Sequence, residues 1–287
     1  MRDLFEDQAS RSLYEHLLLY RMLGHTYVRL PANTPEHWAL REQAHSYKRA
    51  RGQYGGAWGE MYYFKLEFLG QPIDVQCWPG NIAWSFLLKQ YCFDRGGVKI
   101  EVQPGDCVID AGACFGDTAL GFAAAAGAQG RVYASDIMPL HMQIIRTNLE
   151  ANPALASRIE VTEAALAERS DQALYIHGEG SSALVSDKPS ERKVKVATID
   201  GFAEERGLPR IDFIKMDIEG AELDALRGAA KTLGRWRPKL TISLYHKPTD
   251  IFEIPLYIDS LGLDYAYYLE HYTIHNEETM LFAVPRR

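Results

Sequence analysis

Cysteine is scarce in this 287-residue chain, and the four present (Cys77, Cys92, Cys107 and Cys114) never fall in CxxC spacing. That excludes a zinc knuckle and a redox pair as the organising chemistry. There is no apolar run of 18 residues, and the segment LYEHLLLY at 13–20 is far too short to span a bilayer. No N-terminal stretch has the make-up of a secretory signal, so the chain reads as soluble and cytoplasmic, with no membrane partner. Positive charge is not in surplus either. A formal net charge of −7 argues against nucleic acid as the main partner. The best basic run, YKRAR at 47–51, reads as the solvated face of a helix. Repeats, low-complexity tracts and a GxGxxG fingerprint are also missing, the last of which speaks against a dinucleotide fold of the usual kind.

What the chain does have is length for a large core, in one elaborated domain or two, and an unequal organisation. Residues 1–97 form a polar, aromatic-rich leader. It opens with a helix carrying Leu13, Leu17 and Tyr20 on one face, continues through a hairpin, YYFKLEFLGQPIDVQCW, turning near Gly70 and Pro72, and closes with a helix over NIAWSFLLKQYCF. From residue 98 onward strands alternate with helices. Strands are expected near 107–110, 131–136, 159–162, 211–216 and 239–245, and helices near 117–127, 139–151 and 219–233. That alternation predicts an α/β fold with a doubly wound, mostly parallel sheet. The tail differs: a helix near 251–261 precedes DYAYYLEHY and ETMLFAV, two strands placed to pair antiparallel at a sheet edge. Such edge strands also offer a surface for a homodimer.

Ligands of open α/β sheets bind beyond the carboxyl ends of the strands. After the first of these strands comes DAGACFGDT, with Asp110, Gly112, Ala113, Gly116, Asp117 and Thr118. Glycines let the backbone approach a ligand, and the following helix start presents free N–H groups. Two carboxylates in such a turn would repel a pyrophosphate but tolerate a ligand carrying an ammonium and a sulfonium. Taken singly, Asp110 and Asp117 also suit ordinary turn and N-cap chemistry. After the second strand come Asp136, whose carboxylate can accept ribose hydroxyls, and apolar Ile137 and Met138. Small Ala164 and Ala165 after the third leave room for a flat adenine. The set points to S-adenosylmethionine.

After the fourth strand, KMDIEGAE at 215–222 crowds Lys215, Asp217, Glu219 and Glu222 around the crevice. Glu219 to Glu222 would form a first helical turn, where acids suit the macrodipole, and that reading fits Glu222 best. Asp217 would face the sulfonium or the acceptor. SLYHKP after the fifth strand brings His246 to the same rim, and imidazole is well suited to take a hydroxyl proton.

VIDAGACFGDTAL, RVYASDIMP, EGSS at 179–182, VATID at 196–200 and above all IDFIKMDIEGAELDALRGA at 211–229 resemble FkbM-type methyltransferases over residues 98–287. The resemblance implies the class I fold, a Rossmann-like seven-stranded sheet with an antiparallel last strand, S-adenosylmethionine as donor, and O-methylation of a sugar or secondary-metabolite hydroxyl. It maps Asp110, Gly112, Gly116 and Asp136 to the cofactor site, and Asp217 and Glu219 to the active-site rim. Cys114 stands where many members have Asn, and Asp136 where Glu is frequent. The leader carries no motif of the family and is the expected seat of acceptor choice.

The expected mechanism is direct transfer to a hydroxyl of a small-molecule acceptor, with His246 as base oriented by Asp217 or Glu219. The alternative version has the same three residues hold a divalent cation that lowers the pKa of the acceptor hydroxyl. Tyr54, Trp58, Tyr62 and Trp84 are candidates to roof the acceptor, with core packing the preferred role. An N-methyltransferase acting on an amine, a nicotinamide dehydrogenase and a non-catalytic S-adenosylmethionine-binding protein are the alternatives.

Overall fold

In the computed structural model, which describes residues 1–56, 59–178 and 183–286, the leader begins with helix α1 (Gln8–Leu23). Asp7 caps it by accepting from the Ser10 N–H at 2.7 Å, and Leu13, Tyr14 and Leu17 are its buried face. Helix α2 (Pro35–Ser46) follows, capped by Thr34. Then come three antiparallel strands, β1 (Lys48–Gly56), β2 (Gly59–Phe68) and β3 (Gln71–Cys77). The β2–β3 hairpin turns through Leu69 and Gly70, both at positive φ. The YKRAR run therefore lies mostly in a strand rather than on a helix face. Lys48 sits over the Tyr62 ring and Arg51 pairs with Glu60, so two of its charges are spent across the hairpin.

One turn, α3 (Pro79–Asn81), and a π-helical turn over Ile82–Leu87 replace the longer helix expected there. The wider π turn holds Ile82, Ala83 and Phe86 in the core, while Trp84 and Ser85 line the ligand cleft. The small ladder β4 (Phe93–Arg95) with β5 (Val98–Ile100) ends this part.

The main sheet then forms: β6 (Cys107–Ala111), helix α4 (Asp117–Ala126), β7 (Arg131–Asp136), α5 (Pro139–Ala151), α6 (Pro153–Ala156) and β8 (Ile159–Glu163). β6 is buried at every position, as a strand covered on both faces must be. Residues 165–197, where no strands were expected, carry five short ones outside the main sheet: β9 (Ala165–Leu166), β10 (Leu174–His177), β11 (Leu184–Ser186), β12 (Lys193–Val194) and β13 (Val196–Ala197). Their brevity explains why no alternation shows in the sequence. The EGSS stretch lies outside the described residues.

After α7 (Ile199–Glu205) and β14 (Phe213–Met216), the single helix expected at 219–233 is two: α8 (Glu222–Arg227) and α9 (Ala230–Trp236). A Cβ on Gly228 would stand 2.1 Å from the Ala167 carbonyl oxygen, so the chain presses on a neighbouring loop where the helices part. β15 (Lys239–Ser243), α10 (Asp250–Ser260), β16 (Tyr265–His271) and β17 (Thr279–Pro285) complete the chain.

The seven strands are ordered β16-β17-β15-β14-β6-β7-β8; β6, β7, β8, β14 and β15 are parallel, and β17 runs antiparallel between β15 and β16. The order reverses between β14 and β6, and that switch point sets the cleft. The leader shares the core on both sides of this sheet. α1 packs Leu13 and Leu17 with Tyr267 and Leu269, and the β2–β3 hairpin packs Phe64, Ile73 and Val75 with Phe115, Phe122 and Phe213. β3 is tied to α5 by Asn148 and Asn152, whose side chains accept from the Gln76 and Asp74 N–H groups at 2.7 and 3.0 Å. At the β16 edge, the Glu6 N–H donates to Tyr267 O at 3.0 Å and the Leu269 N–H to Ser10 Oγ at 2.9 Å. The start of the chain thus occupies bonding positions that a second copy's strand would need there. Among the described residues no helix is long and apolar enough to cross a membrane.

Candidate functional site

A cleft of about 1130 Å³, counting the solvent space at its open mouth, lies over the carboxyl ends of β14, β6 and β7. Gly112 leaves β6 at φ +80° to form its floor, with Gly116 at φ +79° just before α4. Cys114, between them, takes φ +49°, a conformation that disfavours most side chains. The Cys114 N–H donates to Asp136 Oδ2 at 2.9 Å, and Ile137 N–H, Met138 N–H and His141 Nδ1 converge on Oδ1 at 2.8, 2.9 and 3.0 Å. Oδ1 is thereby saturated, leaving Oδ2 as the oxygen with room for a ribose hydroxyl. Ile137, Met138, Ala164 and Ala165 line the adjoining wall together, joined by Ala183 and Val185. That wall is flat, small and apolar, as adenine needs.

Gly112, Thr118, Asp117, Asp136, Asp217 and Glu219 all reach the cleft, but four expected residues, Asp110, Ala113, Gly116 and His246, do not. Ala113 and Gly116 shape the turn from behind. Asp110 is fully buried: its Oδ1 lies 3.1 Å from Lys215 Nζ and its Oδ2 accepts from Thr118 Oγ1 at 2.7 Å. Lys215 also donates to the carbonyls of Ala111 and Gly112, at 3.1 and 2.6 Å. Asp110 therefore fastens β14 to β6 rather than presenting charge to a ligand. Asp117 does face the cleft, accepting from Ser85 Oγ at 2.5 Å and from Asn81 Nδ2 at 3.3 Å. Burial pushes its carboxyl above the usual range despite those donors.

Of the acids around the end of β14, only Glu222 joins a first helical turn. Glu219 adopts φ +55° and Gly220 φ +94°, and α8 begins only at Glu222. The Glu222 side chain, wholly buried, accepts from the Ile218 N–H at 2.8 Å and contacts His246 Nδ1 at 2.8 Å. On the other side of the ring, Nε2 stands 3.3 Å from Asp217 Oδ1 and 3.6 Å from Glu219 Oε2. The Tyr91 and Tyr245 hydroxyls donate to Asp217 at 2.8 and 3.0 Å.

Burial alone would lower the His246 pKa, but Asp217 and Glu222 overcome it and raise it to about 11. The ring is thus a cation at neutral pH, and it does not line the cleft. This corrects the assignment of His246 as the proton-taking base: a group already protonated and enclosed by carboxylates has no capacity for that role. Burial opposes ionisation of Asp217, yet the His246 imidazolium, Lys215 and the Tyr91 hydroxyl hold it well below the usual range. Glu219, by contrast, is pushed up to about 7, by burial first and then by Asp217 and Glu222, against the pull of His246.

Asp217, Glu222 and His246 offer ligand atoms within 4.8 Å of one another, so a divalent cation is geometrically conceivable. The His246 Nδ1 contact with Glu222 Oε1, at 2.8 Å, is already that of a hydrogen bond between a ring N–H and a carboxylate.

The network links stability to pH in two directions. The raised His246 contributes stability that is complete below its ordinary 6.5 and is lost as pH climbs through about 11. The depressed Asp217 contributes stability present above its ordinary 3.8 and lost as pH falls toward its folded value. The melting temperature of the parent chain should therefore exceed that of His246→Gln most strongly in the window between those two ordinary values. The gap should narrow steadily on the alkaline side; a gap that widens from pH 6 to pH 10 would show that the ring is not cationic.

Several cleft residues escaped the sequence reading. Trp78, Asn81, Ser85, Gln90 and Tyr91 come from the leader, Tyr245 from the end of β15, and Glu278 from the loop before β17. No motif surrounds them, and only the folded chain gathers them. Of the aromatic roof candidates, Trp84 lines the cleft, while Tyr54 and Tyr62 pack beside the core and Trp58 lies outside the described residues. Among the described residues, Trp84 Nε1, Trp78 Nε1 and Asn81 Oδ1 are buried without a hydrogen-bond partner.

A sheet of this strand order, with a glycine turn after its first strand and a carboxylate closing its second, defines the class I, Rossmann-like methyltransferase fold. The methyltransferase FkbM domain family matches residues 110–268, more than half of the chain, and the protein belongs to that family. A crystal structure of methyltransferase FkbM from Methylobacillus flagellatus superposes with a TM-score of 0.61 at 21% identity, covering 98% of this chain and 56% of that one. This chain thus spans little more than half the length of that relative. Aeropyrum pernix fibrillarin with bound S-adenosyl-L-methionine gives a TM-score of 0.42 at 14% identity, covering 82% of this chain and 97% of that one. The O-methyltransferase from Bacillus cereus with SAH gives 0.41 at 14% identity, covering 63% and 74%. No functionally curated protein matches the chain.

Proposed function

We propose that the protein transfers the methyl group of S-adenosylmethionine to a hydroxyl of a small molecule, a sugar or a secondary metabolite. The observation that carries this reading is the pairing of a fixed Asp136 carboxylate with the apolar wall of Ile137, Met138, Ala164 and Ala165, directly beside a turn that holds acids instead of pyrophosphate donors. Among the described residues, five carboxylates line the cleft: Asp117, Asp136, Asp217, Glu219 and Glu278. The basic side chains among them are Lys215, held by Asp110, and His141, held by Asp136. A cationic sulfonium donor suits that balance, and a dinucleotide does not.

In the reaction, the acceptor oxygen attacks the methyl carbon in line with sulfur, and the sulfonium leaves as a neutral sulfide. The sulfonium is intrinsically a good leaving group, so the protein's contribution is alignment and removal of a proton. In this reading Asp217, held by Tyr91, Tyr245 and His246, faces the sulfonium. Leader residues Trp78, Trp84 and Gln90 form the wall on which acceptor choice rests. Four free thiols suit a reducing compartment such as the cytoplasm.

Calorimetric titration should show binding of S-adenosylmethionine and S-adenosylhomocysteine and none of NAD. A panel of sugars, polyols, phenols and amines assayed for S-adenosylhomocysteine formation should give turnover with a hydroxyl acceptor. Binding of NAD in preference would overturn the donor. Turnover confined to amines would replace O- with N-methylation, and cofactor binding without turnover on any acceptor would favour a non-catalytic role.

A further inference from the structure

With His246 protonated, the methyl-transfer reading lacks a proton acceptor. We propose that Glu278 is that group: the carboxylate that takes the acceptor's proton, held in place by Gln90 from the leader. This assignment rests on the methyl-transfer reading and adds a residue from outside the family-matched span, since both Gln90 and Glu278 lie beyond residues 110–268.

The geometry is specific. Glu278 ends the loop before β17 and adopts φ +62°, a conformation uncommon for a residue with a Cβ. Its carbonyl is fastened by the Tyr272 N–H at 3.0 Å. The side chain lines the cleft together with Gln90, Tyr91, Tyr245 and Asp217. Gln90 Nε2 donates to Oε2, and among the described residues no hydrogen bond engages Oε1. The other acids at this end are occupied. Asp217 accepts from two tyrosines and faces the His246 cation, and Glu219 Oε2 lies beside the same cation with its side chain still 31% exposed.

Charged and titrating neighbours face Glu278 from every side: Asp217 and Glu219 after β14, Tyr245 and His246 after β15, and Tyr91 next to Gln90. Burial, with Asp217 adding to it, pushes the Glu278 carboxyl up to about 8, while Gln90 and His246 pull the other way. An incoming sulfonium brings positive charge into this cleft and favours the ionised form. Donor binding therefore releases the Glu278 proton to solvent and readies the carboxylate. In the transfer itself the acceptor O–H gives its proton to Glu278, the oxygen forms the new bond to the methyl carbon, and the C–S electron pair returns to sulfur. Carboxylates tuned toward neutral pH are suited to this work.

The test compares the parent chain with Glu278→Gln and Glu219→Gln, full length in each case. Titration with S-adenosylmethionine near pH 7.5, in two buffers of different ionisation enthalpy, should show proton release by the parent chain that Glu278→Gln at least halves and Glu219→Gln largely keeps. S-adenosylhomocysteine, lacking the positive sulfur, should release far less proton and should bind all three, which reports an intact fold. With an acceptor from the panel, Glu278→Gln should lower kcat by about 10²-fold or more and lose the alkaline rise of the rate, and Glu278→Asp should recover part of both. Unchanged proton release, or a Glu278→Gln enzyme within threefold of the parent kcat, overturns the proposal. Halved release with no acceptor turned over supports the titrating role of Glu278 and counts instead against the methyl-transfer reading.

Discussion

Gly112→Ala is expected to cost the folded chain more than about 4 kcal/mol and to abolish binding of S-adenosylhomocysteine. The added Cβ would lie 1.8 Å from the carbonyl oxygen of Asp217 and 2.8 Å from its carbonyl carbon, far inside van der Waals contact. Those are backbone atoms at the end of β14, and they cannot rotate aside as a side chain would. Position 112 also sits at φ +80°, where any L-residue is strained.

Relief could come only by parting β6 from β14, and that seam is held by the ladder from Phe213↔Val108 to Met216↔Ala111 and by the Asp217 N–H donating to Ala111 O at 3.1 Å. The site would therefore open where Cys114 meets Asp136 and where Asp217 meets its tyrosines. Chemical denaturation gives the stability loss, and calorimetry the binding loss. An alanine variant with a midpoint near the parent's would mean that the turn and the β14 end are not in contact in solution. Gly116 gives a milder case: its nearest neighbour is Ile145 Cγ1 at 3.4 Å, so alanine there brings mainly the cost of positive φ.

Much of this architecture is legible before folding. β6, β7 and α5 announce themselves by apolar runs and periodicity, and the boundaries of β7 and α5 fall at 131–136 and 139–151 as the sequence predicts. Strands that are buried on both faces carry a strong local signal. The failures have physical causes. Glu219 to Glu222 looks like an acidic first turn because composition favours it, but Glu219 at positive φ cannot join a helix, and tertiary contacts of Gly220 and His246 decide the turn. Glu222 does stand in the first turn of α8, but its full burial against His246 leaves no trace in the sequence, because that partner lies 24 residues away and no local pattern joins them.

Asp110 shows the same limit in reverse. Its position near the carboxyl end of β6 suggests a ligand contact, and the residue that neutralises it, Lys215, is visible only as part of a charged motif. Gln90 and Glu278 were silent because a pair separated by 188 positions leaves no mark on either neighbourhood. The cleft residues legible in the sequence are those that follow strand ends in order. The rest come from the leader and the last loop, and only packing brings them together.

Lys215→Met should lower stability by about 3–5 kcal/mol, the typical cost of leaving a buried charge without its partner. Lys215 and Asp110 are 1% and 0% exposed, so water cannot replace the lost ammonium. Removing it strips the donor from Ala111 O and Gly112 O as well, loosening the floor of the cleft at the point where β6 turns. Methionine fills a similar volume, so the loss reports charge and hydrogen bonding more than a cavity.

The companion variant Asp110→Asn in the Lys215→Met background should recover a large share of that loss. A neutral amide has a far smaller desolvation cost, and its oxygen can still accept from Thr118 Oγ1, now 2.7 Å from the Asp110 carboxylate. A double-mutant cycle read by urea denaturation should accordingly give a coupling of about 2–3 kcal/mol, near the upper end for contacting residues. A coupling near zero would mean that Lys215 is not the counter-ion of Asp110, and that its ammonium serves a ligand in the cleft instead. In that case Lys215→Met would leave the unfolding midpoint in place and weaken S-adenosylmethionine binding alone. The two outcomes separate a strut that holds the donor turn closed from a side chain that grips what the turn encloses, and the geometry at Ala111, Gly112 and Asp110 favours the strut.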